Sequence, residues 1–205
     1  MNLLAHAYLS YNHPPILVGN MISDYVKGNN RLRYDALIQK GITLHRAIDD
    51  FTDHHTATQA AKLFFKESYR LYAGAFVDVV YDHFLANDDA QFADAAALYS
   101  FAQTTYGLLK PYQAIMPEKF GQMLPYMQAQ NWLYHYRFKE GIEKSFQGLV
   151  RRSAYLTDAA PGYQVFLQHY NQLQQCYQLF FPALKAFTHH WYQQYMPGEF
   201  AGDAF

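Results

Sequence analysis

With 205 residues, one cysteine and a formal net charge of −1, the chain is long enough to bury a substantial core and has no global field that calls for nucleic acid or an anionic membrane as partner. The lone Cys176 also excludes an internal disulfide and a cysteine-based zinc site. Hydrophobic residues make up 51% of the chain, with 19 Tyr and 16 Phe, a composition of packed globular proteins rather than disordered ones.

The N-terminal residues 1–10 are apolar but lack a preceding basic stretch and are interrupted by His6, so they do not resemble a signal peptide. No apolar run reaches the roughly 18 residues that span a bilayer, and the expected location is the cytoplasm. From there the periodicity is helical nearly throughout. Residues 16–26 are apolar on one face and stop at Gly28. Helices are predicted over 34–52, 56–71, 74–86 and 90–109. A loop is bracketed by Pro111 and Pro117, and further helices cover 118–129, 131–151 and 162–181. A last helix begins near Pro182 and ends before Pro197. No strand-like alternation persists, so the expected fold is all-α, a single-domain helical bundle over 1–205. Residues 1–90 hold most of the His and Asp candidates, and 91–205 form an aromatic-rich covering half.

Two segments carry acids and imidazoles at helical spacing inside apolar stretches. In one, His45, Asp49 and Asp53 share a helix face; in the other, Asp78 and Asp82 do, with His83 beside them. Two carboxylates four apart repel by roughly 0.2–0.5 kcal/mol on an exposed helix. Among Val, Phe and Leu they are desolvated as well. A divalent cation reverses both penalties. His6, Asp24, His45, Asp49, Asp78, Asp82 and His83 fall on four predicted helices, and bundles hold metal ions with ligands from several helices. A mixed His/Asp set without Cys suits a hydrolytic centre. Each residue has a plainer reading: His6 a core histidine, Asp24 a solvated helix residue, Asp53 part of a helix end, and Arg46 a salt-bridge partner of Asp50 rather than a phosphate ligand.

The segments Asn2 to His6, Gly19-Asn20 through Asp24 to Gly28, Gly41 through His45-Arg46 and Asp49 to Asp53, and Asp78 through Asp82-His83 to Leu85 together resemble acyl carrier protein phosphodiesterase. The resemblance covers nearly the whole length, with its specific motifs in residues 1–86. It implies a cytoplasmic enzyme of lipid metabolism that hydrolyses the 4′-phosphopantetheine–serine linkage of holo-acyl carrier protein, on a fold like that of the HD-type metal phosphohydrolases, with Mn²⁺ as cofactor. HD proteins carry consecutive His-Asp; here the pair is reversed as Asp82-His83, so the ligand set rests on the segments above and their spacing. That set is His6, Asp24, His45 and Asp82 with Asp49 a further member, and Asp78 and Asn20 standing behind them. His83 is the candidate for protonating the serine leaving group or orienting water, and Arg46 for steadying the phosphoryl oxygens. Lys27, Arg31 and Arg33 are the candidate surface for an acidic carrier protein.

Other functions fit parts of this pattern. An HD-type nucleotide phosphohydrolase keeps the fold and metal and changes the substrate. A non-enzymatic helical adaptor for acidic proteins leaves the acids of the first half without a role. A dinuclear iron oxidase needs Glu-x-x-His, and none of Glu67, Glu118, Glu140, Glu143 and Glu199 has a His three residues later.

Overall fold

The computed structural model describes residues 1–198. Among these the secondary structure is all-helical, as the periodicity predicts. In chain order the helices are α1 (Leu3–Tyr8), α2 (Pro14–Ile22), α3 (Ala36–His54), α4 (Thr56–Tyr69), α5 (Ala73–Ala86), α6 (Ala95–Leu109), α7 (Glu118–Ala129), α8 (Trp132–His135), α9 (Lys139–Arg152), α10 (Ala160–Gln168) and α11 (Tyr170–Tyr195). Short 3₁₀ turns fill the joints, among them Ser23–Tyr25 and Gly28–Arg33. No described helix is long and apolar enough to cross a membrane.

α5 is the central element. Eleven of its fourteen residues are buried, the exceptions being Gly74, Ala75 and Asp78. Helices α1, α4, α9 and α11 pack around it. A helix apolar on nearly all sides belongs in the middle of a bundle, and the Phe76-Val-Asp78-Val-Val-Tyr run accounts for its position.

α2 and α3 make the closest pairing in the molecule, and two glycines permit it. A Cβ added to Gly19 would overlap the Ile38 carbonyl oxygen, and one on Gly41 would overlap that of Ile16. Backbone lies against backbone at this crossing, which brings Asn20 of α2 alongside His45 of α3. The link between α1 and α2 is equally tight. Tyr11 and Asn12 both take the left-handed conformation (φ 47° and 55°), and Pro14 and Pro15 then occupy the first turn of α2, where no intrahelical N–H is needed.

Three boundaries differ from the sequence expectation. Residues 16–26 are not one helix: α2 stops at Ile22 and a 3₁₀ turn swings Asp24 out of its line. The predicted 131–151 helix is broken at residues 136–138. There the Tyr136 carbonyl accepts from His83 Nδ1 (2.7 Å) instead of serving a helix, and Gly141 admits the His135 carbonyl where a Cβ could not fit. Pro182, in contrast, starts nothing: α11 runs through it and the break falls at His169. A helix-interior proline costs about 3 kcal/mol. Phe180, Phe181 and Leu184 are fully buried beside it and contribute about 1.5–3 kcal/mol each, which keeps the helix continuous. The carbonyl that Pro182 leaves without a donor belongs to exposed Gln178, where water can reach it.

Candidate metal centre

His6 on α1 and His45 on α3 are buried, and their rings stack with centroids 3.9 Å apart and planes within 14°. Asn20 holds both. Its amide nitrogen donates to the His6 carbonyl (2.9 Å) and to Ser10 Oγ (3.0 Å), which fixes Oδ1 as the acceptor of the His6 Nδ1 proton (2.8 Å). Its main-chain oxygen accepts from His45 Nδ1 (2.7 Å). One residue therefore sets the tautomer of two imidazoles, and both turn Nε2 towards the same carboxylate. His6 Nε2 lies 3.2 Å from Asp49 Oδ1, and His45 Nε2 lies 3.1 Å from Asp49 Oδ2. Asp24, delivered by the 3₁₀ turn, brings Oδ1 to 3.1 Å from His45 Nε2.

The charges in this group are uneven. Burial pushes the His6 imidazole down to about 4, and neighbouring His45 adds to the effect. Burial also opposes charge on His45, but hydrogen bonds to Asp24 and Asp49 outweigh it and raise that ring to about 9. Burial works against the Asp49 charge as well. The hydrogen bond from His45 and the charge of the Met1 amino group overcome it and hold the Asp49 carboxyl well below the usual carboxylate range. The His6 Nε2 atom is buried without a hydrogen bond. With its proton committed to Asn20, it presents a lone pair to an acceptor oxygen, an arrangement that a cation between them satisfies. Among the described residues, His6, His45 and Asp49 offer ligand atoms all within 4.8 Å of one another, compatible with a divalent metal.

The other sequence candidates sit as follows. Asp78, expected to stand behind the ligands, reaches the edge of this group: its Oδ1 is 3.0 Å from the Met1 amino nitrogen, which is itself 3.4 Å from Asp49. Asp82, expected as a ligand, does not join it. It is fully buried one turn further along α5, and its carboxylate accepts the main-chain N–H groups of Leu4 (2.7 Å), Ala5 (3.2 Å) and Asn2 (3.3 Å). Burial pushes that carboxyl up, to about 7, against the pull of those N–H groups.

His83, expected to act on the leaving group, faces elsewhere, because adjacent helix residues point about 100° apart. Its Nδ1 donates to the Tyr136 carbonyl and its Nε2 accepts from the Tyr170 hydroxyl (3.0 Å). Burial lowers it to about 4. Its partners tie α5 to the second half of the chain. Arg46 is exposed and donates to the Val26 carbonyl (3.3 Å), beside the Asp24 turn; Asp50 meets His54 instead (3.4 Å). Asp53 pairs with Lys62 (2.7 Å). Lys27, Arg31 and Arg33 are exposed on and beside the 3₁₀ turn that follows Asp24, with Leu32 63% exposed among them.

Ser10 escaped the sequence reading. It is buried, donates to the His6 carbonyl (2.7 Å) and accepts from Asn20, completing the support of His6. Nothing in its spacing marks it, since its partners come from two helices and the turn between them.

A family model described as acyl carrier protein phosphodiesterase matches residues 1–184. A protein of that name from Photorhabdus laumondii is 31% identical over 184 residues, which is 90% of this chain and 93% of that one. Its namesake from Yersinia pestis is 30% identical over 190 residues, 93% and 98% of the two chains. The one from Salmonella agona is 28% identical over 186 residues, 91% and 96%. No solved structure gives a significant match.

Proposed function

The chain belongs to the acyl carrier protein phosphodiesterase family, and from that premise we propose that it hydrolyses the phosphodiester joining 4′-phosphopantetheine to a serine of acyl carrier protein, releasing apo-carrier protein, in the cytoplasm. The observation that carries the metal-dependent form of this reading is the pair of Asn20-locked imidazoles aimed at Asp49. Histidines that ligate metals almost always donate their other ring N–H to a carbonyl or carboxylate. Here the two Nδ1 protons go to the Asn20 amide and main-chain oxygens.

In this reading His6, His45, Asp49 and Asp24 hold a divalent cation, with Asp78 at hand beside Asp49. The mixed nitrogen and oxygen donor set favours Mn²⁺ over Mg²⁺. Such an ion, when bound, supplies a water of lowered pKa and positive charge against the phosphoryl oxygens. The chain's own side chains do the rest. Asn20 directs both Nε2 atoms at Asp49; that of His6 is unprotonated, and that of His45 would give up its proton to the cation. Asp24, exposed at the mouth, is placed to accept a hydrogen bond from an incoming water and orient it towards phosphorus. Arg46 is anchored by one donor on the Val26 carbonyl and can turn others on a phosphoryl oxygen, where a guanidinium binds bidentately. Hydrolysis adds the water oxygen to phosphorus, breaks the bond to the serine oxygen and returns a proton to that oxygen. Lys27, Arg31 and Arg33 are the surface we assign to the carrier protein, with exposed Leu32 as its apolar centre.

The test is direct. Purified protein with Mn²⁺ is incubated with holo-acyl carrier protein, and intact-mass spectrometry follows loss of the phosphopantetheine. Apo-carrier protein is the expected product. A carrier protein left intact with Mn²⁺, Mg²⁺, Zn²⁺ and Fe²⁺ in turn overturns the proposal.

A further inference from the structure

Asp82 is a fully buried carboxylate whose oxygens lie against main-chain N–H groups at the start of a distant helix. α1 is only six residues long, far below the length at which a helix holds itself in water, so its position depends on outside anchors. The first N–H groups of any helix lack intrahelical acceptors. In α1 the Asn2 side chain takes the N–H of Leu3 (2.9 Å), and Asp82 takes those of Asn2, Leu4 and Ala5. Oδ2 is engaged by Leu4, 78 positions away in sequence, and Oδ1 by Asn2 and Ala5. His6 is the next residue along, and its own N–H makes the first bond within the helix, to the Asn2 carbonyl (3.2 Å).

We propose that Asp82 is a positioning residue: by fixing the start of α1 on α5, it sets where His6 Nε2 stands relative to Asp49. The inference rests on the reading of His6 as a metal ligand. A small polar side chain would serve as an ordinary cap by accepting one N–H. The carboxylate accepts three and so fixes both the height and the rotation of α1, the two coordinates that decide where an imidazole on its second turn points. Asn20 and Ser10 hold His6 itself, at its carbonyl and Nδ1, so α1 is fixed at its start by α5 and at His6 from the α2 side. Asp82 thus acts on the cation through α1, and it differs from Asp78, which points to the Asp49 edge of the group.

The experiment measures Mn²⁺ affinity by calorimetry on the full chain as wild type, Asp82→Asn, His6→Ala and the double variant. The amide keeps the size of the side chain but sets an NH₂ against an N–H. Wild-type protein is expected to bind Mn²⁺, and Asp82→Asn to bind it about 10–100-fold more weakly, the usual cost of losing support behind a ligand. With His6 already removed, Asp82→Asn is expected to cost less than twofold. A further loss of tenfold or more in the His6→Ala background makes Asp82 a ligand in its own right and overturns the inference, and so does unchanged affinity in Asp82→Asn.

Should Asp82→Asn fail to fold, wild-type protein decides. Coupling between binding and anchoring is reciprocal, so Mn²⁺ is expected to slow hydrogen exchange at the Leu4 and Ala5 amides by at least tenfold. Equal exchange with and without the ion refutes the coupling. Wild-type protein that binds no divalent ion removes the metal reading itself, and this inference with it.

Discussion

Replacing Asn20 by Leu probes the core of the site without touching a metal donor. The side chain is completely buried and makes three hydrogen bonds: one from His6 Nδ1, one to the His6 carbonyl and one to Ser10 Oγ. Leucine has the same branched skeleton and is bulkier, so no cavity opens. Of the three abandoned groups, two keep each other, because Ser10 Oγ already donates to the His6 carbonyl at 2.7 Å. The third, His6 Nδ1–H, is orphaned in the interior. Such a donor costs about 1–3 kcal/mol, and the lost bonds add about 1 kcal/mol, so the expected destabilisation is about 2–4 kcal/mol in urea unfolding. The orphaned ring can shed the penalty by moving its proton to Nε2, where Asp49 is the nearest acceptor. That tautomer cannot ligate through Nε2. The variant is therefore expected to fold and to bind Mn²⁺ about 10–100-fold more weakly. His45 is spared, since its Nδ1 partner is the main-chain oxygen of residue 20, which leucine also supplies. In ¹⁵N spectra of the imidazoles, His6 should change tautomer and His45 should not. An Asn20→Leu protein with wild-type Mn²⁺ affinity and an unchanged His6 tautomer would falsify the claim that Asn20 sets the site.

Three further outcomes are expected. Asp49→Asn removes the charge that both imidazoles face; turnover of holo-acyl carrier protein is expected to disappear with helical circular dichroism unchanged, and retained turnover refutes the role of Asp49. Arg31→Glu with Arg33→Glu opposes an acidic partner: kcat/KM for the carrier protein is expected to fall at least tenfold, about 1.4 kcal/mol. Hydrolysis of bis(p-nitrophenyl) phosphate should stay unchanged, and equal losses on both substrates would show that these arginines do not dock the protein. His83 is held neutral when folded, at about 4 against an ordinary 6.5. Below 6.5 the unfolded chain takes up the proton first, so stability is complete above that pH and is lost as pH falls from about 6.5 to about 4. The full loss is about 3 kcal/mol. His83→Gln should flatten that portion of the stability profile, and parallel profiles for the two proteins would count against a buried neutral His83.

Much of the fold was legible because its helices announce themselves by period. α5 reads as a helix from an apolar stretch interrupted by Asp78, Asp82 and His83, and α3 from a stripe that includes Ile38, Ile42, His45 and Ile48. Boundaries were lost where tertiary contact overrode local signals. Buried aromatics carried α11 through Pro182, and the His83 bond to the Tyr136 carbonyl marks a break between α8 and α9 where no residue is a glycine or proline, Gly141 lying inside α9. The segment 1–10 offers His6 and the Asn2 to His6 motif but no helical period, since a six-residue helix has too few turns to show one, and Asp82 anchors its start from across the core.

Of the acids and imidazoles that spacing singles out, His6, His45 and Asp49 come together in the fold, while the surroundings of the α5 acids are not written in the spacing. Spacing of four puts Asp78 and Asp82 on one face of α5, but it also sets them one turn, about 5.4 Å, apart along the axis. That single turn decides their fates. At the height of Asp78 the neighbours are the Met1 amino group and Asp49, so a carboxylate there meets cations and potential ligands. At the height of Asp82 the neighbour is the open start of α1, so a carboxylate there meets three N–H groups. Both positions satisfy the reasoning that a buried acid needs compensating positive charge, one with ions and the other with backbone dipoles. The sequence pattern carries the need without its source, because the source lies at residues 1–5, more than 75 residues earlier in the chain. His45 and Asp49 lacked this ambiguity: both belong to α3, and their 3.1 Å contact is set by the helix itself.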